Sequence, residues 1–224
     1  MKEILFRCSS LGKIMTDPKS KSEGILSVGA KTYIRELAAQ EIFGVDFEVS
    51  SKQMEKGILV EDQSIQLLNR VLGLSLSKNT ERRTDGYLTG ECDLFDAPRR
   101  MGRDLKSSWS LATFPIAEID CYDKGYEWQM RGYMKLWDAG EWSVDYALVD
   151  TPENLIGYEP LQMHIVSHIP EHMRLTSWVI KRDADKEALI VERVKAAREY
   201  YREVIAEFDR THQPINTDQF KEAA

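Results

Sequence analysis

The residues that can do chemistry gather in one stretch, GECDLFDAPRRMGRDLKSSWS, residues 90–110. Asp93 closes one β-like run, and Asp104 and Lys106 stand two apart in the next. Strands ordinarily avoid Asp and Lys. Side chains alternate across a strand, so Asp104, Lys106 and Ser108 share one face while Leu105 and Trp109 share the other. On the preceding run Asp93 lies with Thr89 and Glu91, opposite Leu88, Cys92 and Leu94. Pairing the two runs brings Asp93 and Asp104 together near one end of a sheet. Carboxylates held that close repel, and one takes up a proton unless a cation lies between them. Mg²⁺ prefers such hard oxygen ligands. A cation there polarises a phosphoryl oxygen and acidifies a water, and Lys106 is placed to position that water or to offset transition-state charge. A surface hairpin with cross-strand ion pairs fits the same residues.

Two flanking segments bear on that choice. Residues 51–72 read as one helix with Ile58, Glu61, Ile65, Leu68 and Leu72 on a single face. A glutamate in an apolar stripe is costly to bury without a partner, and Gly57, one turn earlier, lets other backbone or a ligand come close. Residues 122–140 read as a second helix ending at Gly140, with Tyr126, Gln129, Met130, Tyr133, Leu136 and Trp137 on its apolar face. The Gln129 amide is the polar exception; it can bond a water or a phosphate oxygen, and the Tyr133 hydroxyl can join it.

The elements that must position these groups follow in a simple order. A loop at 17–27 precedes a helix at 31–44 ended by Gly44, then comes the helix 51–72 ended by Gly73. β-like pieces follow at 74–78, 86–95 and 103–109, with Pro98 and Gly102 punctuating the turn between the last two. After the helix 122–140, segments 142–150 and 155–166 read as a strand pair, and the chain from Glu171 on reads as largely helical, with an amphipathic helix at 183–209. This order predicts an α/β fold: a central mixed β-sheet flanked by helices, in a single domain over 1–224 with its core at about 31–166 and a helical part at 171–209.

Composition narrows the class. The 224 residues are 42% hydrophobic and 30% charged, with a net charge of −7, which argues against a protein coated in basic residues. No apolar run is long enough for a bilayer, and the first residues lack a signal peptide's pattern. Three dispersed cysteines without a CxxC pair point to free thiols and a reducing, cytoplasmic location. Positive charge is local: Arg99, Arg100 and Arg103 cluster in the turn between the two acid-bearing runs, and Lys13, Lys19 and Lys21 near the start. The three arginines are candidates for gripping a phosphate backbone.

The series Gly57-x-x-x-Glu61, Asp93, Asp104-Leu105-Lys106 and Gln129-x-x-x-Tyr133 resembles the motifs of PD-(D/E)xK nucleases, on the side of the phage λ exonuclease, the YqaJ-type viral recombinases and the RecB nuclease domain. The resemblance spans roughly residues 8–208 and extends to the WVIKRDADKEALI segment before the long helix. It implies a restriction-endonuclease-like core in which Glu61, Asp93 and Asp104, with the carbonyl of Leu105, bind Mg²⁺ or Mn²⁺. It makes Lys106 the catalytic lysine and has Gln129 hold the water or the scissile phosphate. It further implies 5′→3′ digestion of duplex DNA from an end, a ring-shaped trimer, and a partner single-strand annealing protein in phage-type recombination. Ser9 or Ser10 matches a serine that holds a 5′-phosphate in the λ branch, so Ser10, Lys13 and Tyr133 join the arginines as DNA-binding candidates. The chain departs from the pattern in having Cys92 before the first acid, Asp104 where Glu is common, and Glu91 where the λ branch has Ser. An endonuclease on the same fold and a non-catalytic DNA-binding module are the alternative readings, and the intact acid–acid–lysine set favours an enzyme over the module.

Overall fold

The computed structural model describes residues 3–47 and 49–213. Its centre is a four-stranded sheet in the order β4-β5-β6-β7, formed by Leu94–Asp96, Met101–Ser107, Glu141–Ala147 and Leu175–Lys181. β4 and β7 pair antiparallel with their neighbours, and β5 and β6 are parallel. A parallel pair needs a crossover, which the helix α5, Lys124–Trp137, supplies. A smaller sheet, β1-β3-β2, is formed by Phe6–Arg7, Leu88–Glu91 and Arg82–Thr84. The single sheet expected from the sequence is therefore two, because the run 86–95 bends at Asp93 between β3 and β4.

Strand register sorts the side chains onto two faces. Asp104 and Lys106 lie beside Val144 and Tyr146, and these beside Trp178 and Thr176. α5 covers this face, with Met130, Tyr133, Met134 and Trp137 packed in one core with Trp142 and Val144. Gly102 lies directly under Trp142, and a Cβ there would stand 2.3 Å from the ring. Leu105 points the other way, against Val60, Leu67 and Leu68. The long helix α7, Ala184–Thr211, packs with α2, Val28–Phe43, on the α5 side. α2 starts at Ser27, whose hydroxyl accepts from Ala30 N–H at 3.0 Å, and ends at Gly44 in the left-handed region. The short α1, Leu11–Ile14, sits so close to α5 that a Cβ on Gly12 would meet Gly125 Cα at 2.7 Å.

Several boundaries differ from the sequence reading. The helix expected over 51–72 is two, α3 (Lys52–Leu59) and α4 (Glu61–Leu72), because Val60 leaves helical geometry to bury its side chain with Leu67, Ala147 and Val149. Ile58 consequently leaves the apolar stripe and is 76% exposed. Residues 74–78 form no strand, and α5 ends at Asp138, held in the left-handed region, rather than at Gly140. The segment 155–166 is not a strand either. It holds the end of α6 (Glu153–Ile156), Gly157 at positive φ and a 3-10 turn at Leu161–Met163. The antiparallel partner of β6 is β7, which lies where a helix was expected. No helix among the described residues is long and apolar enough to cross a membrane.

Candidate active site

The α5 face of β5 puts a carboxylate and an ammonium side by side: Lys106 Nζ stands 2.7 Å from Asp104 Oδ2. Asp104 is 2% exposed, and Gln129 Nε2 donates to its Oδ1 at 3.1 Å. Gln129 is aimed by its own helix, since its amide also reaches the Tyr133 hydroxyl at 3.3 Å, which donates to the Glu91 carbonyl at 3.0 Å. Gly90 makes room for that arrangement: a Cβ there would stand 2.7 Å from the Tyr133 ring. Lys106 lies over the Tyr126 ring, 4.6 Å from its centroid. Alternation in β5 is thus what turns Asp104 and Lys106 toward α5, and the helical spacing of Tyr126, Gln129 and Tyr133 meets them.

Asp93 enters from the bend. Its Oδ2 accepts Leu105 N–H at 2.7 Å, which ties the bend to β5. Asn79 pins the same bend from outside, donating its backbone N–H to the Asp93 carbonyl at 2.7 Å and its amide to the Cys92 carbonyl at 3.1 Å. Glu61, at the start of α4, is paired with Lys78. Glu61, Lys78, Asp93, Leu105, Lys106 and Ser107 line one open cleft of about 340 Å³, with Met54, Gly57 and Ile58 on its rim. A larger groove of about 630 Å³ beside α2 and α7 contains none of these residues.

Electrostatics in the cleft are those of crowded acids. Burial, then the charge of Asp104, raises Asp93 to about 7, with a further push from Glu61; Lys106 and the Leu105 N–H oppose the rise. Burial works against the charge on Lys106, but Asp104 and Asp93 more than compensate and hold it above the ordinary lysine range. Among the described residues no three His, Cys, Asp or Glu side chains stand as a ready metal cage. Each carboxylate is held instead by a cation or an N–H. The donors still fit a hard divalent ion. They are all oxygens, Glu61, Asp93 and Leu105 line one cleft, and Asp104 Oδ2 beside it is buried with no aligned hydrogen bond although Lys106 stands at ion-pair distance.

These shifts carry a stability prediction. With Asp93 raised from 3.8 to about 7, the folded protein between those values keeps a proton the unfolded chain has lost, so stability falls as pH rises. Lys106, raised in the fold, stays charged in both states across this range and adds no slope. Metal-free protein is expected to lose about 2 kcal/mol between pH 5 and 7.5, or roughly 4–8 °C of melting temperature. Asp93→Asn removes that slope; melting curves in EDTA for both proteins check it, and parallel slopes would refute the assignment.

The other sequence candidates lie elsewhere. Arg103 shares the Leu105 face, where Asp145, fully buried, accepts from it at 3.1 Å. Strand alternation therefore makes it an interior cation rather than a neighbour of Lys106. Arg99 pairs with Asp96 at 2.7 Å, and Arg100 with the Asp138 carboxylate at 2.6 Å, in the turn at the opposite end of β5 from Lys106. Ser10 ends a 3-10 turn, and Lys13, on α1, lies 4.6 Å from the Tyr33 ring centroid. None of these five lines the cleft. Glu91 turns out to Arg82 at 3.1 Å and does not join the acids. The sequence reading missed Lys78, the last residue of the coil 74–78 that it took for a strand, and Asn79 just beyond it. It also missed Lys56, a fully buried lysine of α3; a lysine one helical turn, four residues, before Val60 was the available signal.

The chain is 39% identical to a phage-related exonuclease of Haemophilus somnus 129PT, covering 92% of its own length and 97% of that chain with a TM-score of 0.87. This protein belongs to the phage-related exonuclease family. The fold extends to an alkaline exonuclease of Laribacter hongkongensis, at 16% identity, 92% coverage of each chain and a TM-score of 0.64. That enzyme's complex with dAMP matches at 17% identity and a TM-score of 0.62, again over 92% of each chain. No family model and no curated protein matches the chain. The exonuclease fold agrees with the λ-exonuclease side of the PD-(D/E)xK nucleases and with the restriction-endonuclease-like core that the motif series implied. In this exonuclease the motif residues Glu61, Asp93, Leu105 and Lys106 share a cleft, and Asp104 and Gln129 stand directly behind Lys106.

Proposed function

We propose that the protein is a Mg²⁺- or Mn²⁺-dependent exonuclease that hydrolyses phosphodiester bonds of linear duplex DNA in the 5′→3′ direction. It would act in phage-type recombination beside a single-strand annealing protein, as a ring-shaped trimer. The observation that carries the reading is the Asp104–Lys106 pair beside a cleft that Lys106 lines with Asp93 and Glu61, in a chain 39% identical to a phage-related exonuclease. The dAMP complex of the Laribacter enzyme adds support for a nucleotide-sized ligand on this fold.

Glu61, Asp93, Asp104 and the Leu105 carbonyl would hold the ion. When bound, it supplies a polarised phosphoryl oxygen and a more acidic water. The chain's own part is positioning and charge. Lys106 brings an ammonium to where negative charge grows on the phosphoryl oxygens. Gln129 fixes the rotamer of Asp104, and Tyr133 fixes Gln129. Asn79 and the Leu105 N–H hold Asp93 on the bend.

Incubation of linear duplex labelled at the 5′ or the 3′ end, with Mg²⁺ or with EDTA, tests the reading, with circular duplex as control. Expected are mononucleotide release from the 5′-label first, intact circles and no products in EDTA. Cut circles would make the enzyme an endonuclease. Binding without products in any divalent metal would make it a DNA-binding module.

A further inference from the structure

Lys78 is unusual in its placement. It belongs to none of the motifs, yet its ammonium occupies Glu61, one of the acids assigned to the metal. It is bonded in sequence to Asn79, which fastens the Asp93 bend, so its backbone is fixed relative to the site. Its side chain is 48% exposed at the rim of the cleft, free to swing on four methylenes. Besides Glu61 it feels the charges of Asp93 and Glu91, which together with Glu61 hold it above the ordinary lysine range.

We propose that Lys78 is a resident counter-ion of the metal site, displaced from Glu61 when a divalent ion binds and thereby released to take a phosphate of the DNA backbone. The inference rests on the reading of Glu61 as a metal-holding acid. Its physical basis is competition. A carboxylate oxygen bonded to an ammonium is not free for a metal, and a doubly charged ion outbids a singly charged one for it. An ion pair this exposed is weak, so the exchange costs little. The ammonium that leaves has one place nearby with new negative charge, the phosphate brought into the cleft. Metal and DNA would then each strengthen the other's binding, since coupling between two ligands is reciprocal. In the metal-free enzyme Lys78 is engaged with Glu61, and DNA gains nothing from it.

The test uses the full chain as wild type, Lys78→Met and Lys78→Arg. Mn²⁺ binding without DNA is followed by calorimetry, and binding of a phosphorothioate-protected duplex by anisotropy in EDTA and in Mg²⁺. Lys78→Met should bind Mn²⁺ about 5-fold more tightly than wild type, because a competitor for Glu61 is gone. In EDTA it should bind duplex like wild type. In Mg²⁺ it should bind duplex about 5-fold more weakly, with a salt slope shallower by about one. Lys78→Arg should follow wild type in both. Weaker Mn²⁺ binding by Lys78→Met, or the same loss of duplex affinity in EDTA as in Mg²⁺, would overturn the exchange, as would no change in either. A wild type that binds Mn²⁺ and cuts DNA while Lys78→Met shows none of these shifts sinks this inference alone. A wild type that neither binds Mn²⁺ nor cuts sinks the metal reading beneath it as well.

Discussion

Lys106→Met and Asp104→Asn are each expected to slow hydrolysis of linear duplex about 1,000-fold while moving the stability of the metal-free protein in opposite directions. Among the described residues Lys106 is the one ammonium at ion-pair distance from Asp104, and its charge also acts on Asp93. Without it, the strand that carries Asp104 has no cation left facing the growing charge on the scissile phosphate. A loss of this size corresponds to about 4 kcal/mol of transition-state stabilisation, the scale of one preorganised charge in a water-poor site. Methionine keeps the packing against Tyr126, so the loss is electrostatic rather than a collapse of the wall. Asp104→Asn keeps Gln129 as a donor to the remaining oxygen but deletes the negative charge beside Asp93. In EDTA the two variants part. Lys106→Met leaves Asp93 and Asp104 without their counter-charge and should melt below wild type. Asp104→Asn removes the repulsion that raises Asp93 and should melt above it. Single-turnover rates and melting in EDTA measure both. Retained activity within 10-fold in either variant would remove it from the catalytic set, and melting shifts of the same sign would defeat the electrostatic account.

Much of the site was legible because it follows short periods. Alternation along β5 put Asp104 and Lys106 on one face and Leu105 on the other, and the register of β5 and β6 bears that out. Helical spacing put Gln129 and Tyr133 on the side of α5 that meets them. What escaped depends on partners distant in sequence. Arg103 looked like a surface charge beside the acids until β6 supplied Asp145 on the same face. Val60 looked like one more residue of a continuous helix until Leu67, Ala147 and Val149 gave it a reason to leave that geometry. β7 escaped because its alternation is blurred: Thr176, Trp178 and Ile180 face the α5 side, but Leu175 and Val179 on the other face are apolar too, in a stretch too short to outweigh the helix that follows. Glu61 illustrates the middle case. Its need for a partner was readable from the apolar stripe, but that the partner is Lys78 was not.

Lys56 is the other group whose loss should be large. It lies on α3 next to Gly57 of the cleft rim, is 0% exposed, and among the described residues its charge is met by carbonyls and a hydroxyl rather than by a carboxylate. Its ammonium donates to the carbonyls of Ser108 at 2.6 Å, Trp109 at 3.1 Å and Val149 at 3.0 Å, and to Thr151 Oγ1 at 2.8 Å. The acceptors follow β5 and β6, so one side chain ties α3 to the ends of both central strands. Lys56→Met relieves the burial of a charge, which the fall from 10.5 to about 8 puts at about 3 kcal/mol. Against that stand three charged N–H donors shared among these four acceptors, at about 1.5–3 kcal/mol for each donor. The bonds win, and the variant should be less stable by about 3 kcal/mol, or roughly 6–12 °C. The pH dependence distinguishes this cause from a packing defect. Burial lowers Lys56 to about 8, with Asp150 opposing. Above that value the unfolded chain keeps a proton on this lysine that the folded protein has shed, so the contribution of Lys56 to stability grows with pH until about 10.5. Buried cysteines and tyrosines titrate alike in both proteins and cancel in the difference. The gap between wild type and Lys56→Met should therefore widen between pH 8 and 10, by about 2 kcal/mol, whereas a packing defect would leave it flat.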